Sequence, residues 1–402
     1  MMVVGQFSQE VDVLVIGGGP AGYTAAFRCA ELGKNVAIVD PRNSLGGRCL
    51  HQACIPSKGS YYGHNNEEVT QYQETLKKGL EQRCKSLGID RLIGNAHFES
   101  TKKVQITGEH VSIVKFRKAI IATGTSPRES LNDNCVQVED VYQSFTPEGK
   151  VLIVGGTTDS VEAVHALKDA DITLCTEGQI LPSFDERIVK LVERQLKKVA
   201  TIVPKLPDLS AFKHIVLATK RTPQLSELQL QNADIHFDEH GIHINESCQT
   251  SQSRVYAVGD CTVACSDAAV AIAQGSVAAE AVCGLNSVFD SQFIPQVCWG
   301  SPEFAQCGAF NNELVSIKWG QSGVALLRGM QKGATFLGYC PESQLVTGVG
   351  FVGNDATELI SEGVLALEMG ATLYDLAQTI RPHPTRCELL GVAAREALKQ
   401  IS

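Results

Sequence analysis

The chain contains 402 residues, of which 44% are hydrophobic and 20% are charged, and its formal net charge is −9 at pH 7. This length favours two or three domains, and an acidic chain with interspersed basic residues argues against a nucleic-acid partner. The first ten residues lack the basic and apolar stretches of a signal peptide, and the longest apolar runs are too short to cross a bilayer. We therefore expect a cytoplasmic protein that has no membrane partner.

Two segments, 11–40 and 151–175, run from a β-rich stretch through a glycine-rich turn into a helical stretch and a second β-rich stretch. This order predicts two βαβ units and hence two doubly wound nucleotide-binding domains. From residue 292 the pattern changes to short β-rich runs followed by helical stretches, which predicts an α+β domain. Strands are expected there at 294–298, 325–327, 334–337 and 345–351, and helices at 356–369 and 373–380.

The first glycine-rich turn carries the pattern G-x-G-x-x-G at Gly17, Gly19 and Gly22. In such a turn the first glycine permits the tight bend, the second lets the backbone approach a pyrophosphate, and the third lets the helix pack closely on the strand. Asp40 ends the following β-rich stretch, where an acidic side chain can bind ribose hydroxyls. The strand, turn, helix and acid together predict a dinucleotide site.

Two close cysteines, Cys49 and Cys54, follow Gly46 and Gly47 and precede the tetrapeptide Ile-Pro-Ser-Lys that ends at Lys58. Five residues along the start of a helix can bring two thiols within the Cα separation of a disulfide, and a helix amino terminus lowers a thiol pKa. The stretch resembles the redox segment of the class I pyridine-nucleotide disulfide oxidoreductases, and within them the dihydrolipoamide dehydrogenases. Its departures from the family pattern are Arg48, His51, Gln52 and Ala53.

The resemblance implies that the cofactor is FAD, that Cys49 exchanges with the substrate, and that Cys54 faces the flavin with Lys58 near the ring. Further motifs follow in the family's order: a segment that meets the adenine, an Ala-Thr-Gly turn after a strand, and a Gly-Asp motif before a helix. The flavin-site residues that the resemblance implies beside those of the first turn are Gly46, Gly47, Ala96, Ala122, Thr123, Gly124, Gly259, Asp260 and Ala268.

Near the carboxyl terminus, His383 is followed by Pro-Thr, and Glu388 stands five residues further on. An imidazole can accept the protons that a dithiol loses, and a carboxylate can hold the ring in one tautomer. The motif resembles the family's His-Pro-Thr-x-x-Glu, in which the histidine of one subunit serves the thiols of the other. The resemblance therefore implies a homodimer with His383 and Glu388 as catalytic residues, and it places Glu162 as the partner of Lys58.

The predicted fold class is α/β, with two doubly wound nucleotide-binding (Rossmann-like) domains and a carboxyl-terminal α+β dimerisation domain. An FAD-binding domain is expected from two parts of the chain, 1–148 and 254–290. A shortened domain resembling an NAD-binding domain is expected at 149–253, and the interface domain at 291–402.

The second glycine-rich turn departs from the family's NAD motif. Gly155 keeps the first glycine, but Thr157 and Ser160 replace the other two. Thr157 brings a branched side chain to the point where a pyrophosphate comes closest, and Asp159 adds a repulsive charge. Little of the family's usual strand meander remains later in this domain. The NAD-facing side therefore looks eroded, and Gly155 is the residue that we assign to an NAD site.

Two extra cysteines, Cys261 and Cys265, stand beside the Gly-Asp motif. A Cys-x-x-x-Cys pair can bind a metal ion or form an auxiliary redox pair. Because no histidine or second cysteine pair lies nearby in the sequence, we interpret them as small packed side chains and predict no metal site. Cys387, beside the histidine motif, has no role that we can assign.

Three functions fit these patterns. The first is a dihydrolipoyl dehydrogenase-like enzyme, in which a free or protein-bound dihydrolipoyl dithiol reduces the disulfide and electrons pass through FAD to NAD. The second keeps the dithiol–flavin half but exchanges electrons with another disulfide or a protein partner in place of ordinary NAD use. The third is a non-enzymatic flavin-binding scaffold, against which the retention of both cysteines and the histidine motif argues. A metal-ion reductase is disfavoured because residues 398–402 hold no cysteine pair.

Overall fold

The structure is a computed structural model that describes residues 7–108, 111–127, 130–143, 145–263, 267–310 and 313–401. Its strands are, in chain order, β1 (Phe7–Ile16), β2 (Val36–Asp40), β3 (Asp90–Ile93), β4 (Asn95–Ser100), β5 (Lys103–Thr107), β6 (Ser112–Ile121), β7 (Thr125–Ser126), β8 (Cys135–Gln137), β9 (Lys150–Val154), β10 (Asp171–Cys175), β11 (Ala200–Val203), β12 (His214–Leu217), β13 (Thr222–Pro223), β14 (Phe237–Asp238), β15 (Gly241–Ile242), β16 (Val255–Ala257), β17 (Gln296–Cys298), β18 (Phe304–Gly308), β19 (Glu313–Lys318), β20 (Ala334–Tyr339) and β21 (Val346–Val352). Its helices are α1 (Pro20–Glu31), α2 (Gly47–His51), α3 (Cys54–Tyr61), α4 (Asn66–Ser86), α5 (Val138–Val141), α6 (Thr158–Ala166), α7 (Glu186–Leu196), α8 (Ala268–Val282), α9 (Gly323–Leu327), α10 (Ala356–Glu368), α11 (Leu373–Gln378) and α12 (Glu388–Ile401).

The described residues fall into two compact units. The first combines the chain up to Glu129 with Lys220–Asp290, and the second combines Ser130–Thr219 with the chain from Ser291 onward. The main sheet of the first unit has the strand order β3-β2-β1-β6-β5-β4, and β16 pairs with β6. Strands β1, β2, β3, β6 and β16 run parallel, whereas β4, β5 and β6 form an antiparallel meander.

The parallel sheet of the first unit is covered on both faces. Successive side chains of β1 point to opposite faces, so Leu14 and Ile16 join one apolar core while Val13 and Val15 join the other. The second of these cores includes side chains of α1 and α8, and the first includes those of β4 and β5. Burial on both faces explains why the sequence of this strand is apolar at every position from 13 to 16.

The second unit contains two sheets. A parallel sheet has the strand order β11-β10-β9-β12-β8, and an antiparallel sheet has the order β17-β18-β21-β20-β19. The sheets share an apolar core, in which the rings of Phe184 and Phe304 lie 5.1 Å apart in an edge-to-face contact. A further core packs the antiparallel sheet against α10, α11 and α12.

These sheets confirm the predicted fold class, with two Rossmann-like regions and a carboxyl-terminal α+β region. The strand predicted at 325–327 is wrong, because these residues end helix α9. The side chain of Ser322 caps that helix by accepting a hydrogen bond from the backbone N–H of Ala325 at 3.5 Å. A short apolar run does not distinguish a strand from a buried helical turn by periodicity. None of the helices in the described ranges combines the length and apolar character that a bilayer span needs.

Candidate active site

The first glycine-rich turn connects β1 to α1. Gly17 has a φ of +111°, and a Cβ atom there would lie 2.2 Å from the carbonyl oxygen of Ala122, which directly follows β6. A Cβ atom at Gly22 would lie 1.9 Å from the carbonyl oxygen of Gly17. The turn therefore requires glycine at both positions, and it leaves the amino terminus of α1 open to a phosphate group.

The acidic residue at the end of β2 lies against this turn. The Asp40 carboxylate accepts a hydrogen bond from the backbone N–H of Gly18 at 2.6 Å and another from that of Arg42 at 2.8 Å. These bonds fix the carboxylate beside the glycine turn. The glycine turn at the helix amino terminus fits the pyrophosphate of a dinucleotide, and the anchored carboxylate beside it fits the ribose hydroxyls.

The cysteine-bearing segment packs directly on the same turn. Gly46 donates its backbone N–H to the carbonyl oxygen of Gly18 at 2.8 Å. Gly47 has a φ of +56°, and a Cβ atom there would lie 2.6 Å from the Cα atom of Gly19. Because neither glycine has a side chain, the backbone of α2, which carries Cys49, packs directly against the backbone of the turn.

Cys49 and Cys54 lie on two short helices. Cys49 is in α2 and Cys54 begins α3, so the single helix start that we expected across this segment is wrong. The chain bends between them, where the backbone N–H groups of Gln52 and Ala53 both donate to the carbonyl oxygen of Arg48, at 2.8 and 2.9 Å. Both cysteines are half-buried, and their thiols are in hydrogen-bonding contact.

The two thiols have different acidities. The hydrogen bond from Cys49 lowers the pKa of Cys54, and the positive charges of Lys58 and Arg48 lower it further, against the opposing effect of burial. The same hydrogen bond, burial and the charge on its neighbour raise the pKa of Cys49. Within the pair, the surroundings therefore favour ionisation of Cys54 over that of Cys49.

Two polar side chains that we had not assigned to the site hold this bend. Gln73 of α4 donates its Nε2 to the carbonyl oxygens of Leu50 and His51, at 2.8 and 3.3 Å. The Nε2 atom of His51 lies 3.0 Å from the carbonyl oxygen of Leu45. Gln73 is more than twenty residues away in sequence, and nothing in the sequence around it signals this contact.

The other residues expected at the flavin belong to the same unit. Ala96 lies in β4, while Ala122, Thr123 and Gly124 follow β6. The second motif forms a short 3₁₀ turn, Gly259–Cys261, and Ala268 begins the helix after it. The structure thus brings the sequence-predicted flavin residues and both cysteines into one compact unit.

A buried glutamine next to the second flavin motif was also missed. The side chain of Gln274, in α8, is fully buried and accepts a hydrogen bond from the backbone N–H of Gly259 at 2.8 Å. Its Nε2 atom has no hydrogen-bond partner among the described residues. Gln274 therefore fixes the turn that contains Asp260.

The histidine motif belongs to the second unit. The Nδ1 atom of His383 lies 2.9 Å from Oε1 of Glu388, the first residue of α12. The other carboxylate oxygen of Glu388 accepts the backbone N–H of Thr385 at 2.8 Å, and these two bonds lower the pKa of Glu388. The His383 side chain is 81% exposed, so its ring is accessible while the carboxylate fixes its orientation.

Glu162 is buried in α6 of the second unit. Its Oε1 atom accepts the backbone N–H of Trp299 at 3.2 Å. Burial, followed by the neighbouring charge of Glu162, raises the pKa of Tyr142. The assignment of Glu162 as the partner of Lys58 stays a prediction.

The second glycine-rich turn keeps the bend of the first but not its donor set. A Cβ atom at Gly155 would lie 2.2 Å from the carbonyl oxygen of Ala218, the same distance that separates a Cβ atom at Gly17 from the carbonyl oxygen of Ala122. Gly18 and Gly156 occupy the same position in the two turns. A Cβ atom added at Gly18 would lie 3.1 Å from the Asp40 carboxylate, and one added at Gly156 would lie 2.6 Å from the Thr176 hydroxyl. A hydroxyl thus stands where the first turn has its acid.

The third glycine position of this turn is also changed. Ser160 is fully buried, and its hydroxyl donates to the carbonyl oxygen of Thr157 at 2.7 Å. Between β11 and β12 the chain forms a short 3₁₀ turn, Leu209–Ala211, where the first unit has the meander of β4 and β5. The residues of this second turn therefore do not fit the mode of dinucleotide binding that the first turn offers.

The extra cysteine of the second flavin motif is packed. Cys261 is fully buried, its thiol lies 3.3 Å from the carbonyl oxygen of Val258, and burial raises its pKa to about 11. Cys265 lies outside the described residues. In the part of the chain that the structure describes, no group of three or more histidine, cysteine, aspartate or glutamate side chains is arranged to hold a metal ion.

Comparison with protein families identifies matches over most of the chain. Residues 11–207 and 199–275 match the pyridine nucleotide-disulphide oxidoreductase model, and residues 294–394 match the dimerisation domain of the same family. The family and its dihydrolipoyl dehydrogenases use FAD and NAD. The dimerisation match supports a homodimer.

Several dihydrolipoyl dehydrogenases are similar over the whole length. Dihydrolipoyl dehydrogenase 3 of Haloarcula marismortui is 30% identical, with 98% of each chain covered. The Bacillus subtilis enzyme is 30% identical, with 99% of this chain and 98% of that chain covered. The alignment with the Haloarcula marismortui enzyme spans 470 positions. Because this chain has 402 residues, at least 68 of those positions are gaps in this chain.

A solved structure shares the fold. The flavoprotein disulfide reductase RclA of Escherichia coli, described as HOCl-induced and solved as a Cu(II) complex, superposes with a TM-score of 0.89 at 18% identity. The match covers 96% of this chain and 99% of that chain. At this identity the likeness shows the fold alone.

Proposed function

We propose that this chain, which belongs to the pyridine nucleotide-disulphide oxidoreductase family and is an FAD-dependent disulfide oxidoreductase, takes its electrons from dihydrolipoyl groups. One observation carries the proposal. Cys49 and Cys54 are in contact, on a segment that packs against the first dinucleotide turn, and the pKa of Cys54 is lowered by its surroundings. The names of the similar dihydrolipoyl dehydrogenases support the substrate class.

The residues of the chain divide the proposed reaction between them. A substrate thiolate attacks Cys49 Sγ of the oxidised pair, the sulfur–sulfur bond breaks, and Cys54 leaves as a thiolate, which its lowered pKa favours. The second substrate thiol then attacks the substrate sulfur bonded to Cys49, the sulfur–sulfur bond of this mixed disulfide breaks, and Cys49 leaves. His383 accepts the proton of each attacking thiol in turn and passes the first of them to Cys49, while Glu388 holds its ring. FAD, when bound, supplies the two-electron acceptor for the reduced pair.

A second candidate keeps this half of the reaction but uses an electron acceptor other than NAD. NAD is the acceptor that family membership implies. The Thr176 hydroxyl at the acid position and the buried Ser160 at the third glycine position favour the second candidate. Another disulfide or a protein partner would then complete the cycle.

The test is an anaerobic titration of the purified FAD-loaded protein, in which the flavin absorbance is followed. Dihydrolipoamide is added to one sample and NADH to another. Bleaching by dihydrolipoamide supports the proposed substrate, and bleaching by NADH supports NAD as the acceptor. Bleaching by dihydrolipoamide alone supports the second candidate.

The matched control for this titration is Cys54→Ser. This variant should keep its FAD but lose bleaching by dihydrolipoamide, because a single thiol cannot complete the exchange. Equal bleaching of the wild type and Cys54→Ser by dihydrolipoamide would contradict the proposal.

A further inference from the structure

A second pair of thiols lies in contact away from the redox segment. Cys29, in α1, is fully buried, and Cys283, which caps the carboxyl end of α8, is half-buried. The two thiols are in hydrogen-bonding contact. Cys29 Sγ lies 3.9 Å from the carbonyl oxygen of Ala279, and the backbone N–H of Cys283 donates to the same oxygen at 3.1 Å. Both cysteines therefore meet at one point of the α1–α8 contact.

The two helices hold this pair together along their length. A Cβ atom at Gly275 would lie 2.6 Å from the carbonyl oxygen of Ala21, so the helix backbones approach without a side chain between them. Arg28, the neighbour of Cys29, forms an ion pair with Glu280 at 2.6 Å. Because backbone packing fixes both helices, the thiols stay within reach of each other.

The surroundings give the two sulfurs different accessibility. Burial raises the pKa of Cys29, which keeps that residue a protonated thiol at neutral pH. Burial also raises the pKa of Cys283, but the positive charges of Lys34 and Arg28 act in the opposite direction. Because Cys283 is half-buried and Cys29 is fully buried, Cys283 is the sulfur that solvent and a small oxidant reach first.

We propose that Cys29 and Cys283 are a second oxidisable dithiol, which hydrogen peroxide converts into a disulfide that ties α1 to α8. The Cys283 thiol gives up its proton as its sulfur attacks one peroxide oxygen, and the oxygen–oxygen bond breaks. The released hydroxide takes up that proton and leaves as water, and Cys283 becomes a sulfenic acid. The Cys29 sulfur then attacks Cys283 Sγ, the sulfur–oxygen bond breaks, and a second water leaves. Two electrons pass from the two thiols to one peroxide molecule.

The cross-link joins the helices that follow the two flavin motifs. Helix α1 follows the turn of Gly17, and α8 follows the turn of Gly259. A covalent bond between their carboxyl ends restricts the unfolded chain and resists separation of the helices. The oxidised protein is therefore a more stable form of the flavin-binding unit.

The first test is disulfide mapping of the FAD-loaded protein before and after a small molar excess of hydrogen peroxide. Free thiols are blocked with iodoacetamide, and the protein is cut with trypsin and a glutamate-specific protease. Cuts after Arg28 and Glu280 release Cys29 in the peptide 29–31 and Cys283 in the peptide 281–303, where fragmentation of the peptide distinguishes Cys283 from Cys298. We expect a cross-linked pair of these peptides after peroxide, lost on reduction with dithiothreitol. Unchanged alkylation of Cys29, or an over-oxidised Cys283 beside a free Cys29, would overturn the proposal.

The second test uses variants of the accessible position. The Tm gain on oxidation should be about 5 °C larger in the wild type than in Cys283→Ser, since the Cys49–Cys54 bond contributes to both proteins equally. Cys135→Ser, which replaces another half-buried cysteine, should keep the wild-type gain. An equal gain in the wild type and Cys283→Ser would refute the cross-link even if the peptides were found.

Discussion

At the scale of single residues, the candidate site depends on charges that surround one sulfur. Cys54 begins α3, its thiol contacts that of Cys49, and the charges of Lys58 and Arg48 favour its ionised form. These effects outweigh burial, which opposes ionisation in a medium of low dielectric constant. The same residue is then both a good leaving group in exchange and a thiolate after reduction.

Replacing Lys58 by Met should raise the pKa of Cys54, because one of the positive charges that lower it is removed. Thiolate absorbance in the ultraviolet, measured against pH in the reduced protein, reports this change. Lys77→Met serves as the control, since Lys77 lies on α4 and pairs with Glu74. Identical titration curves for wild type and Lys58→Met would show that the lysine does not act on the thiols.

The carboxylate beside His383 allows a prediction about pH. Bonds from Thr385 and His383 lower the pKa of Glu388 in the folded state, so its contribution to stability is complete above its unfolded pKa of about 4.3 and is lost as the pH falls through the lower folded value. We therefore expect Glu388→Gln to have a lower Tm than the wild type between pH 5 and pH 8.

This difference in Tm should shrink below about pH 4. Thermal unfolding across this pH range measures it, and Glu396→Gln, an exposed position of the same helix, is the control. A difference that stays constant down to the most acidic pH would contradict the assignment.

At the scale of elements, the two glycine-rich turns show how one side chain changes what a βαβ unit can bind. The first turn has glycine at its third position, which lets α1 press against the carbonyl oxygen of Gly17. The second turn has a buried Ser160 there, and a hydroxyl at the place of the acid. Both units fold, because the strand and helix supply the packing, but they offer different donors to a dinucleotide.

Substitution of Gly22 by Ala tests the first turn. The added Cβ atom would lie 1.9 Å from a backbone oxygen that cannot move without displacing β1, so we expect FAD content to fall by about tenfold or more. The ratio of flavin to protein absorbance after purification measures this loss.

Gly79→Ala is the matched control for this substitution, because Gly79 lies exposed in α4 and an added Cβ there contacts nothing. This variant should keep its FAD and gain about 0.5–1 kcal/mol of stability from helix propensity. Full FAD content in Gly22→Ala would show that the turn tolerates a side chain.

At the scale of the whole molecule, the proposed reaction needs residues from both compact units. Cys49 and Cys54 belong to the first unit, and His383 and Glu388 to the second. The dimerisation match supports a homodimer, and the family resemblance implies that the histidine of one subunit serves the thiols of its partner. The site would then exist in the dimer alone.

Mixing two inactive variants tests this arrangement. Cys54→Ser and His383→Gln should each be inactive alone. After unfolding and refolding together, about half of the dimers are mixed and each has one intact site, so activity should return to about a quarter of the wild-type value. Dihydrolipoamide oxidation with an artificial electron acceptor measures the recovery. Refolded single variants are the controls, and no recovery in the mixture would place the histidine and the thiols in the same subunit.

The sequence by itself determined the fold class and predicted the reactive groups. Strand–turn–helix order and glycine spacing are local properties, so the two Rossmann-like regions followed from them. The Cys49–Cys54 pair was predicted from the resemblance of residues 46–58 to a family motif. The short apolar run at 325–327 was misread as a strand, because a cap at Ser322, and not periodicity, decides its conformation.

Only the tertiary structure decided which groups meet. Gln73 reaches the cysteine bend from a helix more than twenty residues away, and Cys29 meets Cys283 across an α1–α8 contact that joins distant parts of the chain. The place of Thr176 opposite Gly156 likewise depends on how β10 lies against β9. Such contacts are set by packing between elements, which depends on the shapes of both partners, and sequence spacing carries no record of it.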